Sequence, residues 1–322
     1  MKKDLRIVFM GSPKFAVASL EAILSADYNV VGVITAPDKV AGRGKQIRKT
    51  DVKEFAEKKG LNLLQPENLK DPLFLKNFKA LNPNLGIVVA FRMLPEVVWA
   101  YPEYGTFNLH ASLLPQYRGA APINHAIIKG ETETGVTTFF LTHEIDTGNV
   151  IYREKLPIGE LETFGQLHDR MMVAGAALVL KTVEAIQNDS IRLTPQCNLF
   201  MPGELLNTAP KIFKEDCRID WTLKAKEIHN LVRGLSPVPS AFTHLISPSG
   251  EQFQMKIIKT TFREIEHQQK AGSIKCDNKK EFGIFTKDGI VLIDELQLAG
   301  KKSLSVNAFL NGFKLTPEWK VR

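Results

Sequence analysis

Apolar residues in the first half of the chain come in short unbroken runs rather than in alternation with polar ones. Arg6–Met10, Val30–Thr35 and Leu85–Ala90 are such runs, and the first two stop at Gly11-Ser12-Pro13 and Pro37-Asp38. Thr106–His110 reads as a further short strand and Asn62–Leu64 as a brief one. Between them, Phe15–Ser25 and Asp71–Leu81 carry helical periodicity, and Thr50-Asp51-Val52-Lys53-Glu54 looks like a capped helix start leading into Phe55–Lys59. Strands without polar alternation, separated by helices, predict a parallel sheet covered on both faces. The predicted fold class is therefore α/β, with a Rossmann-like, mostly parallel sheet.

The pattern continues through Val150–Leu156, a predicted strand, and a long amphipathic helix from about Thr163 to Ile186. It then changes. The stretch from Asn188 to Pro210 has turn formers and no sustained period, and reads as a linker. A helix at Lys224–Gly234 precedes short strands at Ser240–Ile246, Gln252–Lys259, Gly272–Ile274, Phe282–Thr286 and Ile290–Leu298. So many turn-separated strands predict a small C-terminal OB-like β-barrel. The expected division is 1–188, a linker over 189–209, and 210–322.

Composition fits this picture and narrows it. A chain of 322 residues suggests two domains, and 44% hydrophobic with 24% charged residues argues against a disordered or fibrous chain. No run of about 18 apolar residues occurs, so no membrane span is expected. The first ten residues offer no long apolar region or cleavage site, and Cys197, Cys217 and Cys276 have no paired spacing, which together suggest a reducing cytoplasm. The formal charge is +7. From Asn207 onward there are 19 Lys+Arg against 13 Asp+Glu, while the preceding 206 residues hold 23 against 22. The basic excess lies in the last third, where it suits either a polyanion partner or simple solubility.

Several familiar chemistries find no motif. Gly11-Ser12-Pro13-Lys14-Phe15-Ala16 lacks the dinucleotide glycine pattern. Ala41-Gly42-Arg43-Gly44-Lys45-Gln46 fails as a phosphate loop, since Lys39 stands where the first Gly belongs and Gln46 where Ser or Thr belongs. Neither G-x-S-x-G nor H-E-x-x-H is present.

The densest polar element is Phe107-Asn108-Leu109-His110-Ala111-Ser112-Leu113-Leu114-Pro115. Asn108 and His110 are two apart on a strand, so they share a face. They lie near the strand's carboxyl end, where parallel sheets place their ligand crevice. An amide donor beside an imidazole can stabilise an oxyanion and move protons. It can equally do no more than bond the next loop. A second element, His143-Glu144-Ile145-Asp146-Thr147-Gly148, is either a plain turn or a carboxylate that orients an imidazole. Asp146 and His110 are 36 residues apart in sequence, and spacing alone leaves both pairs of readings open.

These residues have a family resemblance. F-N-L-H-A-S-L-L-P-x-x-R-G-A-A-P at 107–122, with I-D-T-G at 145–148, resembles the folate-dependent formyltransferase superfamily. Thr35–Lys45 is similar to the basic loop that, in the branch acting on initiator methionyl-tRNA, inserts toward the acceptor stem. Lys211–Trp221 resembles the opening of that branch's OB-like C-terminal domain.

The resemblance implies the catalytic set Asn108, His110 and Asp146, with Asp146 holding His110 and favouring its charged form. It implies 10-formyltetrahydrofolate as formyl donor, the α-amine of methionine on initiator methionyl-tRNA as acceptor, and no metal. Ser112, Leu113, Leu114 and Pro115 would line the folate site, with Phe91 and Met93 as further folate contacts. In that last loop the chain departs from the family, since Val88–Pro95 reads one residue shorter and lacks a Gly. Arg118 and Gly119 would shape the same wall, unless Arg118 makes a structural salt bridge. Arg43, Lys45, Arg48 and Lys49 would meet the tRNA. A monomer is expected. Two rivals share the same residues, a formyltransferase of small sugar amines and a nucleic-acid-binding module on a degenerate enzyme fold.

Overall fold

The computed structural model describes residues 2–41, 46–316 and 318–322. The chain divides into two compact units. The first holds the chain up to Gly119, then Thr134–Leu156 and His168–Thr208; the second holds Ala120–Glu133, Pro157–Leu167 and Ala209–Arg322.

The first unit is built on a seven-stranded sheet in the order Val150–Pro157, Glu133–Phe140, Thr106–His110, Leu85–Val89, Ile7–Gly11, Val30–Ile34, Leu63–Leu64. The last five of these run parallel, and Glu133–Phe140 runs antiparallel to Thr106–His110. Every residue of Ile7–Gly11 and Leu85–Val89 is buried, which is why neither strand alternates in sequence. Val8, Met10, Ile34 and Val88 pack with Phe74 and Phe78 of the helix Pro72–Ala80 on one face. On the other face Leu109 meets Gly175 of the helix Phe164–Gln187 so closely that a Cβ there would strike the Leu109 side chain.

Local signals set the helix starts. Thr50 Oγ1 accepts from the Lys53 N–H at 3.1 Å ahead of Asp51–Lys58, and Asp71 Oδ1 accepts from the Phe74 N–H at 2.9 Å ahead of Pro72–Ala80. Each such cap is worth about 1 kcal/mol. The first strand passes into the helix Lys14–Ser25 through Gly11, where a Cβ would lie 2.6 Å from that of Ala16 and 2.9 Å from the Val89 carbonyl oxygen.

The second unit carries an antiparallel sheet in the order Ile274–Cys276, Phe282–Phe285, Gly289–Leu298, Gln252–Glu264, Ala241–Ile246, Lys320–Val321. A bridge between Ser273 and Lys320 joins its two edges, so the sheet is a nearly closed barrel. The barrel strands supply Phe242, Met255, Ile284, Val291 and Ile293 to a core sealed by Ile228, Val232 and Leu235 of the helix Ala225–Leu235. Trp221 is buried in it and its indole N–H finds Thr243 Oγ1 at 3.0 Å.

The α/β sheet followed by a small barrel agrees with the sequence pattern. One strand is longer than the pattern predicts: Gln252–Glu264 continues past Lys259 because the pairing register shifts on either side of that residue. Such an irregularity resets which face each side chain takes, so alternation is lost although the strand is not. The short helices Pro122–Ile128 and Val306–Gly312 had no predicted counterpart.

Candidate active site

Asn108 and His110 occupy the carboxyl end of Thr106–His110, as their spacing predicted. Asn108 is in register with Val88 on one neighbouring strand and with Phe139 on the other. Val88 belongs to the face against which Phe91 and Leu94 pack, so the Asn108 amide emerges on that same face. Asn108 Oδ1 is buried with no hydrogen-bond partner among the described residues. An unsatisfied buried amide oxygen costs about 1–3 kcal/mol, a cost that persists at sites kept for a ligand.

His110 is 6% exposed, and its two ring nitrogens face different groups. Nε2 donates to the Tyr117 carbonyl oxygen at 2.9 Å, since a carbonyl can only accept. Nδ1 lies 3.8 Å from Asp146 Oδ2. In the neutral ring Nδ1 therefore presents its lone pair, and a proton taken up there turns the approach to Asp146 into an ion pair. The structure thus brings Asp146 beside His110, which the sequence could not decide. The same carboxylate oxygen accepts the Gly119 N–H at 3.0 Å, an anion-holding contact from the later part of the 107–122 motif.

The turn that carries Asp146 is tightly specified. Asp146 has φ +56°, the left-handed region that non-glycine residues seldom adopt. At Gly148 a Cβ would collide with the Phe140 carbonyl oxygen, so only glycine lets the turn lie against the strand end. A residue not singled out by the sequence reading closes the arrangement. Gln196 donates through Nε2 to the carbonyl oxygens of Asp146 and Gly148, at 2.8 and 2.9 Å. Its Oε1 accepts from Arg118 Nη2 at 2.6 Å and Nε at 3.1 Å. The recorded side-chain partner of Arg118 is thus an amide. Gln196 lay in the expected linker, and an isolated Gln in an aperiodic stretch gives no sequence signal.

The other expected site residues take varied positions. Ser112, Leu114 and Pro115 are buried; Ser112 Oγ donates to the Gln116 carbonyl at 2.6 Å, and the Leu114 N–H donates to Thr137 Oγ1 at 3.2 Å. Leu113 is half-buried against Gly135. Phe91 is partly buried against the sheet, whereas Met93 is 75% exposed. The loop between them is anchored by Arg92, which donates to the carbonyls of Pro66 and Glu67. Arg43 and Lys45 lie outside the described residues. Arg48 is exposed on the strand Gln46–Arg48, which pairs with Lys39–Ala41. Lys49 is ion-paired with Glu57 at 2.7 Å, and that hydrogen bond holds its ammonium above the ordinary lysine pKa.

No helix among the described residues is long and apolar enough to cross a membrane. Residues 5–183 match the family model described as formyl transferase, and residues 211–314 match that of the formyl transferase C-terminal domain. A methionyl-tRNA formyltransferase of Parabacteroides distasonis is 53% identical over 321 residues, covering 99% of each chain. That of Bacteroides thetaiotaomicron is 52% identical over 320 residues, again 99% of each. Among solved structures, an N-formyltransferase from Helicobacter canadensis in complex with folinic acid and dTDP-3-aminofucose aligns with a TM-score of 0.62 at 21% identity, over 90% of this chain and 98% of that one. HypX from Aquifex aeolicus in complex with tetrahydrofolic acid aligns at 0.61 and 20% identity, over 95% of this chain and 46% of that one. The structural likenesses establish the fold, the two models cover both parts of the chain, and the relatives are half identical from end to end: the chain belongs to the methionyl-tRNA formyltransferase family.

Proposed function

We propose that this chain transfers a formyl group from 10-formyltetrahydrofolate to the α-amino group of methionine on initiator methionyl-tRNA, acting in the cytoplasm as a monomer. The observation that carries the chemistry is the strand end itself: an imidazole with one free lone pair against a carboxylate, two residues from an amide whose buried oxygen has no partner among the described residues. The choice of acceptor is supported by the full-length relatives, whose names specify methionyl-tRNA.

The amine nitrogen attacks the formyl carbon and the carbon–nitrogen bond to the folate breaks. The amine proton ends on the departing folate nitrogen. The Asn108 amide N–H donates to the oxygen as it becomes negative, and Nδ1 of His110 takes and returns the proton while Asp146 balances the charge. Ser112–Pro115 with Phe91 and Met93 forms the folate wall in this reading. Arg43, Lys45, Arg48 and Lys49 meet the acceptor stem, and the 210–322 part, joined through 189–209 to the catalytic 1–188 part, carries the RNA backbone.

The test gives the purified full chain 10-formyltetrahydrofolate together with either charged methionyl-tRNA or an amino-sugar nucleotide. Formylation of the tRNA alone is expected; formylation of the sugar alone would overturn the reading, and no transfer to either would point to the binding module. Arg43→Leu should raise KM for tRNA and leave folate binding intact. Added salt should weaken tRNA use far more than folate use, because ion release accompanies phosphate contacts.

A further inference from the structure

Gln196 is 4% exposed and opens the short 3-10 turn Gln196–Leu199. Its carboxamide uses all of its hydrogen-bonding capacity: two N–H groups on two carbonyl oxygens, and one oxygen accepting from two guanidinium nitrogens. The opposite amide orientation would set oxygen against both carbonyls and an NH2 group against Arg118, so the chemistry permits a single orientation. The carbonyls it grips belong to Asp146 and Gly148, one on each side of Thr147 in the turn that presents the carboxylate. Asp146 itself stands at φ +56°, a conformation that surrounding contacts must enforce. Arg118, held by the same amide, is next to Gly119, whose N–H reaches Asp146 Oδ2. A closed loop of hydrogen bonds thus runs from the Asp146 backbone through Gln196 and Arg118 to Gly119, and back to the Asp146 side chain.

We infer that Gln196 is a positioning residue for catalysis: its buried amide fixes the 146–148 turn and the 118–119 segment together, so that the Asp146 carboxylate stays against His110. The inference rests on the formyl-transfer reading above. Gln196 touches no reacting atom in this role; it acts through Asp146. Two features separate it from a general stabiliser. Both bonded carbonyls lie within the catalytic turn, and the partner on the other side of the amide lies within the 107–122 motif.

Steady-state kinetics on the full chain test it, with Gln196→Glu, Gln196→Leu and, as an exposed neighbour, Cys197→Ser. Gln196→Glu matches the volume and keeps the Arg118 contact but offers the two carbonyls only oxygen at neutral pH, so it remains testable if Gln196→Leu fails to fold. Both Gln196 variants should lower kcat about ten- to a hundredfold, the scale expected when a catalytic group is misplaced by an ångström or less. KM for each substrate should stay within about threefold of the parent, and Cys197→Ser should match the parent.

A second readout does not depend on activity. Hydrogen exchange of the Gly119 amide should quicken in Gln196→Glu while the amides of Leu85–Val89 keep their protection. A rise in KM for folate at constant kcat would overturn the inference in favour of a folate contact. Unchanged kcat with unchanged Gly119 protection, or a uniform loss of protection throughout the first unit, would also overturn it. Absence of formyl transfer by the parent chain would instead sink the functional reading, and the Gly119 exchange would still report on the brace.

Discussion

His110 and His229 are both buried histidines, 6% and 4% exposed, yet their surroundings make them opposites. His110, in the first unit, has a carbonyl at one nitrogen and a carboxylate near the other. His229, on the helix Ala225–Leu235 of the second unit, places Nδ1 3.0 Å from Thr260 Oγ1. Burial, then the charge of Arg233, push its pKa down from 6.5 to about 4, with Glu160 pulling less strongly the other way. One imidazole faces an anion at the strand end; the other is kept neutral chiefly by its burial, helped by the Arg233 charge, and packs against Phe262. Burial and the Arg233 charge act together on His229, whereas His110 is distinguished by the carboxylate that faces its free ring nitrogen.

The largest effect that would break this contrast is on the first histidine. His110→Ala should lower the rate of formyl transfer about a hundred- to ten-thousandfold while folding is retained, as measured by kcat and by thermal melting. Asn108→Ala should cost about a hundred- to thousandfold in kcat, and because it also removes an unpaired buried oxygen it should melt no lower than the parent. Loss of stability without loss of rate in either variant would reduce the strand end to architecture.

His229→Asn should leave kcat within about threefold, and its signature lies in acid. Because the folded pKa, about 4, is below the unfolded value of 6.5, the native state binds fewer protons than the unfolded one between those limits. The His229 contribution to stability should be fully present above pH 6.5 and on the order of 3 kcal/mol of it lost as pH falls toward 4. Urea unfolding at pH 7 and pH 4.5 should show the gap between parent and variant narrowing in acid. A gap that widens would mean that His229 is charged in the fold. The smallest effect is for Thr260→Val, which removes the hydroxyl that meets Nδ1 of His229 and should cost about 1 kcal/mol at pH 7 without altering kcat.

Much of this contrast was written in the chain and some was not. Thr106–His110 ends where its pattern predicts, and period-2 geometry put Asn108 and His110 on one face before any contact was known. The caps at Thr50 and Asp71 were equally local. Lys259 shows the limit, since a register shift disguised the last five residues of Gln252–Glu264 as something other than strand. Gln196 shows it more sharply. Its four bonds reach residues 48 to 78 positions away, and an amide in an aperiodic stretch looks the same whether it braces a catalytic turn or faces water.

By itself, then, the sequence determined the class of each unit, the elements with strong short-range periodicity, and the pairing of an amide and an imidazole at one strand end. These follow from patterns repeating within a few residues. Only the tertiary structure decided that Asp146 comes to 3.8 Å from His110, that Gly119 and Gln196 hold it there, and that His229 sits instead beside Arg233. Those outcomes depend on which distant strand and turn fold against which. A side chain's proton affinity is set by neighbours that the chain order does not name.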